Sequence, residues 1–227
     1  MSFHAIVPSP LGDILLTADA YSLTGLHFTD QRDCPAVPGM DTTADDISDP
    51  SAGMAKGKPI RSFKAVRPDA ADEQLPGMDA ILAGDMARAA TLPASIVSSL
   101  RMLQDDTPDD ALAVLNRTAQ ELDEYWRGAR QVFDVPLDPP GTDFQKRVWQ
   151  ALLAVRCGST LSYGQLAEQA GLGAGYGRAV GTAVGSNPIS IIIPCHRILA
   201  SNHTLNGYGG GLGRKVKLLE LEGFRVG

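Results

Sequence analysis

Cys195 and His196 stand side by side in "PISIIIPCHRILA", residues 188–200, directly after Pro194. A cysteine attacks as its thiolate, and an unperturbed thiol is only a few per cent ionised at neutral pH, so a nucleophilic Cys195 needs a base. His196 is the nearest one. Neighbours on a strand point to opposite faces, so direct proton transfer between the two needs a turn or a bridging water. Glu222 is a carboxylate in the otherwise apolar stretch "KVKLLELEG" and is placed to orient an imidazole. Cysteine, histidine and carboxylate together are the general arrangement of an activated nucleophile. The plainer alternative is that Cys195 is an inert small hydrophobe at the end of an isoleucine run.

The elements that must hold these residues come from pattern. "TDFQKRVWQALLAV" opens with Thr142 as a helix cap, and Phe144, Val148, Leu152 and Val155 then form a buried stripe. "TLSYGQLAEQAGL" reads as a short helix starting near Ser162 and ending at Gly171. After a glycine-rich turn, "YGRAVGTAVGSNP" is a second helix stopped before Pro188. Two short helices joined by a glycine-containing turn outline a helix-turn-helix. "ISIIIP" is expected as a short buried strand that Pro194 ends, and "KVKLLELEG" as a last helix capped by Gly223.

Gly177, Gly181 and Gly185 are four apart and share one face of the second helix. Each costs about 1 kcal/mol against alanine in a helix interior, so that face needs to be flat. It suits either a neighbouring helix or a DNA surface with Arg178 at its edge.

Before residue 140 the pattern differs. "FHAIVPSPLGDILLTADAYSLTGLHF" is a small antiparallel sheet with tight turns. Residues of about 30–79 are rich in Asp, Pro, Gly and Ser, which points to a loosely held insertion extending to about residue 105. Short helices are expected within 79–92 and 94–104. "TPDDALAVLNRTAQELDEYWRG" is an amphipathic helix capped by Thr107, with Leu112, Leu115, Ala119, Leu122 and Trp126 on its apolar face. The proline-rich "VFDVPLDPPGT" separates a domain of residues 1–140 from one of residues 141–227.

Charge divides at the same place. Residues 1–140 hold 11 basic and 22 acidic side chains, whereas residues 141–227 hold 9 basic and 4 acidic. The basic part suits an anionic partner, or the two parts neutralise each other. Three scattered cysteines give neither a disulfide framework nor a zinc or redox motif. The N-terminus has no secretory pattern, and no apolar run approaches the roughly 20 residues of a membrane span. A protein of the cytoplasm, not associated with membranes, is expected.

"SYGQLAEQAG", "GRAVG", "GSNPISIIIPCHR", "GYGGG" and "LLELEG", in this order, resemble the O6-alkylguanine-DNA alkyltransferases of the bacterial single-polypeptide type. The match is near-continuous over residues 141–225 and weaker at "SPLGDILLTADAYSLTGLHF" and "ELDEYWRGARQVFDVPLDPPGT".

The resemblance implies a ribonuclease H-like α/β N-terminal domain and a mainly α, winged-helix-like C-terminal domain with the helix-turn-helix. It implies repair of O6-alkylguanine, and of O4-alkylthymine, in double-stranded DNA by a monomer, without cofactor; some relatives hold a structural zinc in the N-terminal domain, but His4, His27 and Cys34 lack a ligand spacing, so no metal is expected here. Cys195 would accept the alkyl group irreversibly, once per molecule. His196 would take its proton through water, Glu222 would orient His196, and Asn187 would hold the turn. Tyr163 would donate a proton to the departing guanine, beside Ser162. Arg178 would fill the gap left by a flipped nucleotide, with Gly181 on the face in the minor groove. Tyr208, Gly209 and the Ile198 carbonyl would line the base pocket. Gly209 stands where relatives often carry Ser or Ala, which implies a larger pocket, and the turn "GLGAGYGR" is one residue longer than in many of them.

Other classes fit less well. An alkyltransferase-like binder lacks the acceptor cysteine, and a zinc deaminase needs HxE and PCxxC, which "PCHRI" does not supply. The local signatures of cysteine hydrolases are absent, and a regulatory relative would need a further DNA-binding domain.

Overall fold

The computed structural model describes residues 1–40 and 99–224. Among the described residues the N-terminal part is a four-stranded antiparallel sheet under one long helix. Strands β1 (Phe3–Val7), β2 (Ile14–Ala18), β3 (Leu23–Phe28) and β4 (Arg101–Met102) lie in the order β3-β2-β1-β4. Ala5, Val7, Ile14, Leu16, Leu26 and Phe28 share one core with helix α1 (Asp109–Trp126). Leu115, Ala119 and Leu122 of α1 are fully buried, each leucine contributing about 1.5–3 kcal/mol by leaving water.

Two expectations change here. Thr107 does not cap α1. Pro108 occupies the cap position, and the Thr107 hydroxyl donates instead to the Gln104 carbonyl at 3.3 Å. The helix expected over 94–104 is replaced, at Arg101–Met102, by a strand. Pairing with Ala5 and Ile6 at the sheet edge outweighs local propensity there. Residues 41–98, which hold most of the expected insertion and the helix expected at 79–92, lie outside the described residues. Gln31 is buried and belongs to the folded part.

The C-terminal part contains α2 (Asp143–Leu153), α3 (Tyr163–Gln169), α4 (Gly177–Gly185) and α5 (Leu212–Leu221). Thr142 and Gln145 form a capping box on α2, and Ser162 and Gln165 form one on α3. Strands β5 (Leu161–Ser162) and β6 (Ile198–Leu199) pair in parallel. Helices α3 and α4, with a short 3₁₀ turn at Ala174–Tyr176 between them, make the expected helix-turn-helix.

Ties between the parts include a backbone pair and a buried arginine. Leu26 donates to the Pro188 carbonyl at 2.8 Å and Ser190 donates back to Leu26 at 3.0 Å. Buried Arg214 of α5 donates to Asp30 at 2.8 Å, to the Leu11 carbonyl at 2.8 Å and to the Gly210 carbonyl at 3.1 Å, with its guanidinium 4.2 Å from the Phe28 ring centre. Gly12, at φ +111°, leaves the space this guanidinium uses. A Cβ there would be 3.0 Å from Arg214 Nη2.

Candidate active site

The isoleucine run is not a strand. Only Ile189 bridges to β3, and Ile191 turns back at φ +70°. That region is costly for a β-branched residue, so its neighbours must hold it. Asn187 does so. Its side-chain amide donates to the carbonyls of Ile193 at 2.8 Å and Ile189 at 3.2 Å, and Ile189 N donates to its Oδ1 at 3.0 Å. The same amide donates to Cys195 Sγ at 3.2 Å. A strand would satisfy these groups with a partner strand, whereas here one buried asparagine satisfies them. Cys195, His196 and Arg197 then form a single 3₁₀ turn, so the alternation expected of a strand does not separate the thiol from the imidazole.

Behind that turn lies an ionic cluster. His196 Nε2 is 3.0 Å from Glu222 Oε1. Arg197 donates to Glu222 through Nη2 at 2.7 Å and Nε at 2.9 Å, and the Tyr125 hydroxyl of α1 donates to Oε1 at 3.0 Å. Burial alone would raise the Glu222 carboxyl, but His196 and Arg197 reverse this and lower it to about 2. An ionised carboxylate only accepts, so His196 Nε2 carries the proton donated to Glu222. Burial lowers His196 below its usual range, leaving a neutral ring whose Nδ1 lone pair is free for a proton. His196 Nδ1 has no hydrogen-bond partner among the described residues.

Burial pushes the Cys195 thiol up, and Asn187 and Lys215 pull it back down. Lys215 is fully buried, lowered to about 8 by desolvation, and donates to the carbonyls of Ile198 and, at 3.1 Å, Asn206. The Ile198 carbonyl thus already has a donor. The resting thiol is protonated, and neighbouring groups are arranged to favour its anion once a base takes the proton.

Tyr208 packs edge-on to His196 with ring centres 6.5 Å apart. Gly210 is wedged between Tyr208 and Phe28, where a Cβ would come within 2.8 Å of the tyrosine ring. Gly209 is exposed, and a Cβ there would lie 3.6 Å from the Asp33 carboxylate. Tyr163 is half-buried, and burial followed by the charge of Cys195 raises its hydroxyl.

An open groove of about 730 Å³ is lined by Ser162, Tyr163, Gly177, Arg178, Gly181 and Asn206 among others. Arg178 is exposed at its edge. The glycine face does two jobs. Gly177 and Gly181 pack on the start of α3, with Cβ positions 3.7 Å from Gly164 N and 3.5 Å from the Tyr163 ring, while Gly185 meets nothing within 4 Å.

Sequence reasoning thus named Cys195, His196, Glu222 and Asn187, which cluster, and Ser162, Tyr163, Arg178 and Gly181, which line the groove. It missed Tyr125, Arg197, Lys215 and Asp33. Lys215 had a signal, since Leu218 and Leu219 follow it at helical spacing on the apolar face of α5.

Residues 143–224 match the 6-O-methylguanine DNA methyltransferase DNA binding domain. A methylated-DNA–protein-cysteine methyltransferase of Mycobacterium bovis is 47% identical over 140 residues, covering 58% of this chain and 83% of that protein. One from Shigella flexneri is 49% identical over 107 residues, covering 47% of this chain and 62% of that protein. The crystal structure of Mycobacterium tuberculosis OGT in complex with DNA aligns with a TM-score of 0.58 at 31% identity, covering 96% of this chain and 90% of that one. No helix among the described residues is long and apolar enough to cross a membrane.

Proposed function

The chain belongs to the methylated-DNA–protein-cysteine methyltransferases, DNA-repair proteins that move an alkyl group onto a cysteine of their own, and we propose that Cys195 is that cysteine. The observation that carries this assignment is the joint placement of its sulfur, 3.2 Å from the Asn187 amide, and of His196, 3.0 Å from an ionised Glu222.

His196 Nδ1 takes the thiol proton through a water. The sulfur attacks the alkyl carbon on guanine O6 in line, the S–C bond forms as the C–O bond breaks, and the electron pair leaves with the guanine. Tyr163, whose hydroxyl is held protonated, returns a proton to the base. Burial makes the free thiolate costly, so proton removal and attack are coupled to substrate entry. The thioether that forms is stable, so each molecule acts once.

A base stacked in duplex cannot reach a buried thiol, so it must be flipped out. The groove beside α3 and α4 suits DNA entering from the minor-groove side, with Gly185 on the open part of the face and Arg178 filling the gap in the stack. The Tyr208–Gly209 turn and the Ile198 carbonyl line the pocket for the flipped base. O4-alkylthymine is a second substrate of the same chemistry. The N-terminal sheet and α1 are read as a ribonuclease H-like fold, and the helix-turn-helix part, residues 141–227, as winged-helix-like. The protein acts as a monomer in the cytoplasm.

The test is incubation with a duplex bearing one O6-methylguanine. The intact protein should gain the mass of one methyl in place of one hydrogen, and Cys195→Ser should gain nothing. Gain by the serine variant would remove the assignment.

A further inference from the structure

Gly209 and Asp33, both exposed, face each other across the N-terminal and C-terminal parts of the chain. A Cβ at Gly209 would stand 3.6 Å from Asp33 Oδ2, 3.7 Å from Oδ1 and 4.0 Å from Gln31 Nε2. The space left by the missing side chain therefore borders a carboxylate, not an enlarged apolar cavity. Asp33 is held in place by the chain that leaves β3. Gln31 Nε2 donates to Asp33 Oδ1 at 3.2 Å, and Gln31 Oε1 accepts from Phe28 N at 3.0 Å. Gln31 is buried, and the Phe28 ring packs against Gly210, next to Gly209. The negative charge also reaches the acceptor, since Asp33 is one of the groups that disfavour the Cys195 thiolate.

We propose that Asp33 is a specificity-determining residue whose carboxylate, set against Gly209, selects against O6-alkyl groups that carry negative charge. This rests on Cys195 being the acceptor. The chemistry is the same displacement: S–C forms, C–O breaks, the electron pair leaves on guanine, and the thiol proton goes to His196. An alkyl group ending in a carboxylate brings a second anion toward Asp33, and because Asp33 is exposed the repulsion is moderate and screened by salt. A neutral group of the same size brings none.

Duplexes carrying O6-carboxymethylguanine and its neutral amide isostere, O6-carbamoylmethylguanine, separate charge from size, with O6-methylguanine as a third arm. Single-turnover rates should favour the amide over the carboxylate in the wild type. Asp33→Asn should raise the carboxylate-to-amide rate ratio by about threefold, and Asp33→Glu should keep the wild-type ratio. Added salt should narrow the wild-type gap. An unchanged ratio in Asp33→Asn, or a wild type that does not distinguish the two groups, overturns the proposal. Absence of methyl transfer by the wild type would instead overturn the acceptor reading, and this inference with it.

Discussion

The Tyr125 hydroxyl donates to Glu222 Oε1 at 3.0 Å, joining the long N-terminal helix to the carboxylate that fixes His196. Tyr125→Phe removes one donor to a buried charge and should cost about 1.5–3 kcal/mol of stability. Glu222→Gln is harsher, because Arg197 is left buried without its counter-charge, and should cost about 3–5 kcal/mol. Urea unfolding at neutral pH should rank wild type above Tyr125→Phe above Glu222→Gln. Transfer rates should fall in the same order.

Acid should erase the Glu222 advantage. Its folded pKa, about 2, lies below the ordinary 4.5, so its contribution is fully present above pH 4.5 and is lost as pH falls toward 2. The urea-midpoint gap between wild type and Glu222→Gln should narrow over that window. A gap independent of pH would contradict the ion cluster.

Lys215 gives the opposite end of the scale. Its pKa is about 8 when folded against 10.5 ordinarily. Between those values the unfolded chain binds more protons, so wild-type stability should rise with pH relative to Lys215→Met. The same variant should transfer more slowly at pH 7, because Lys215 favours the Cys195 anion. A variant as fast as wild type would show that the lysine only supports the loop carbonyls.

Arg178 is exposed on the groove edge, away from the buried cluster. Arg178→Ala should slow transfer from duplex DNA by at least about tenfold while changing transfer from free O6-benzylguanine little, as expected for a residue that acts on the duplex rather than on the bond being made. Duplex binding should weaken as salt rises, through counterion uptake by the freed phosphates. Equal slowing on both substrates would remove the finger role.

Much of this architecture was legible in the sequence because it rests on local signals. Thr142 and Ser162 cap helices through residues three positions on, and the stripe of Val148 and Leu152 follows the helical period. The isoleucine run misled because composition favours a strand, while the actual path depends on Asn187 satisfying carbonyls up to six residues away and on Ile191 accepting a left-handed conformation. Tyr125 and Asp33 were not legible as site residues, since Tyr125 reaches Glu222 across 97 positions and Asp33 faces Gly209 from the other part of the chain. No local pattern encodes such contacts.

The most direct test of the account is a peptide map of the protein after reaction with excess O6-methylguanine duplex. Burial and neighbouring acidic groups push the Cys34 and Cys157 thiols up to about 11, with no base hydrogen-bonded to either among the described residues. One methyl per molecule is expected, on Cys195 alone. A methyl on Cys34 or Cys157, or turnover beyond one equivalent, would contradict it.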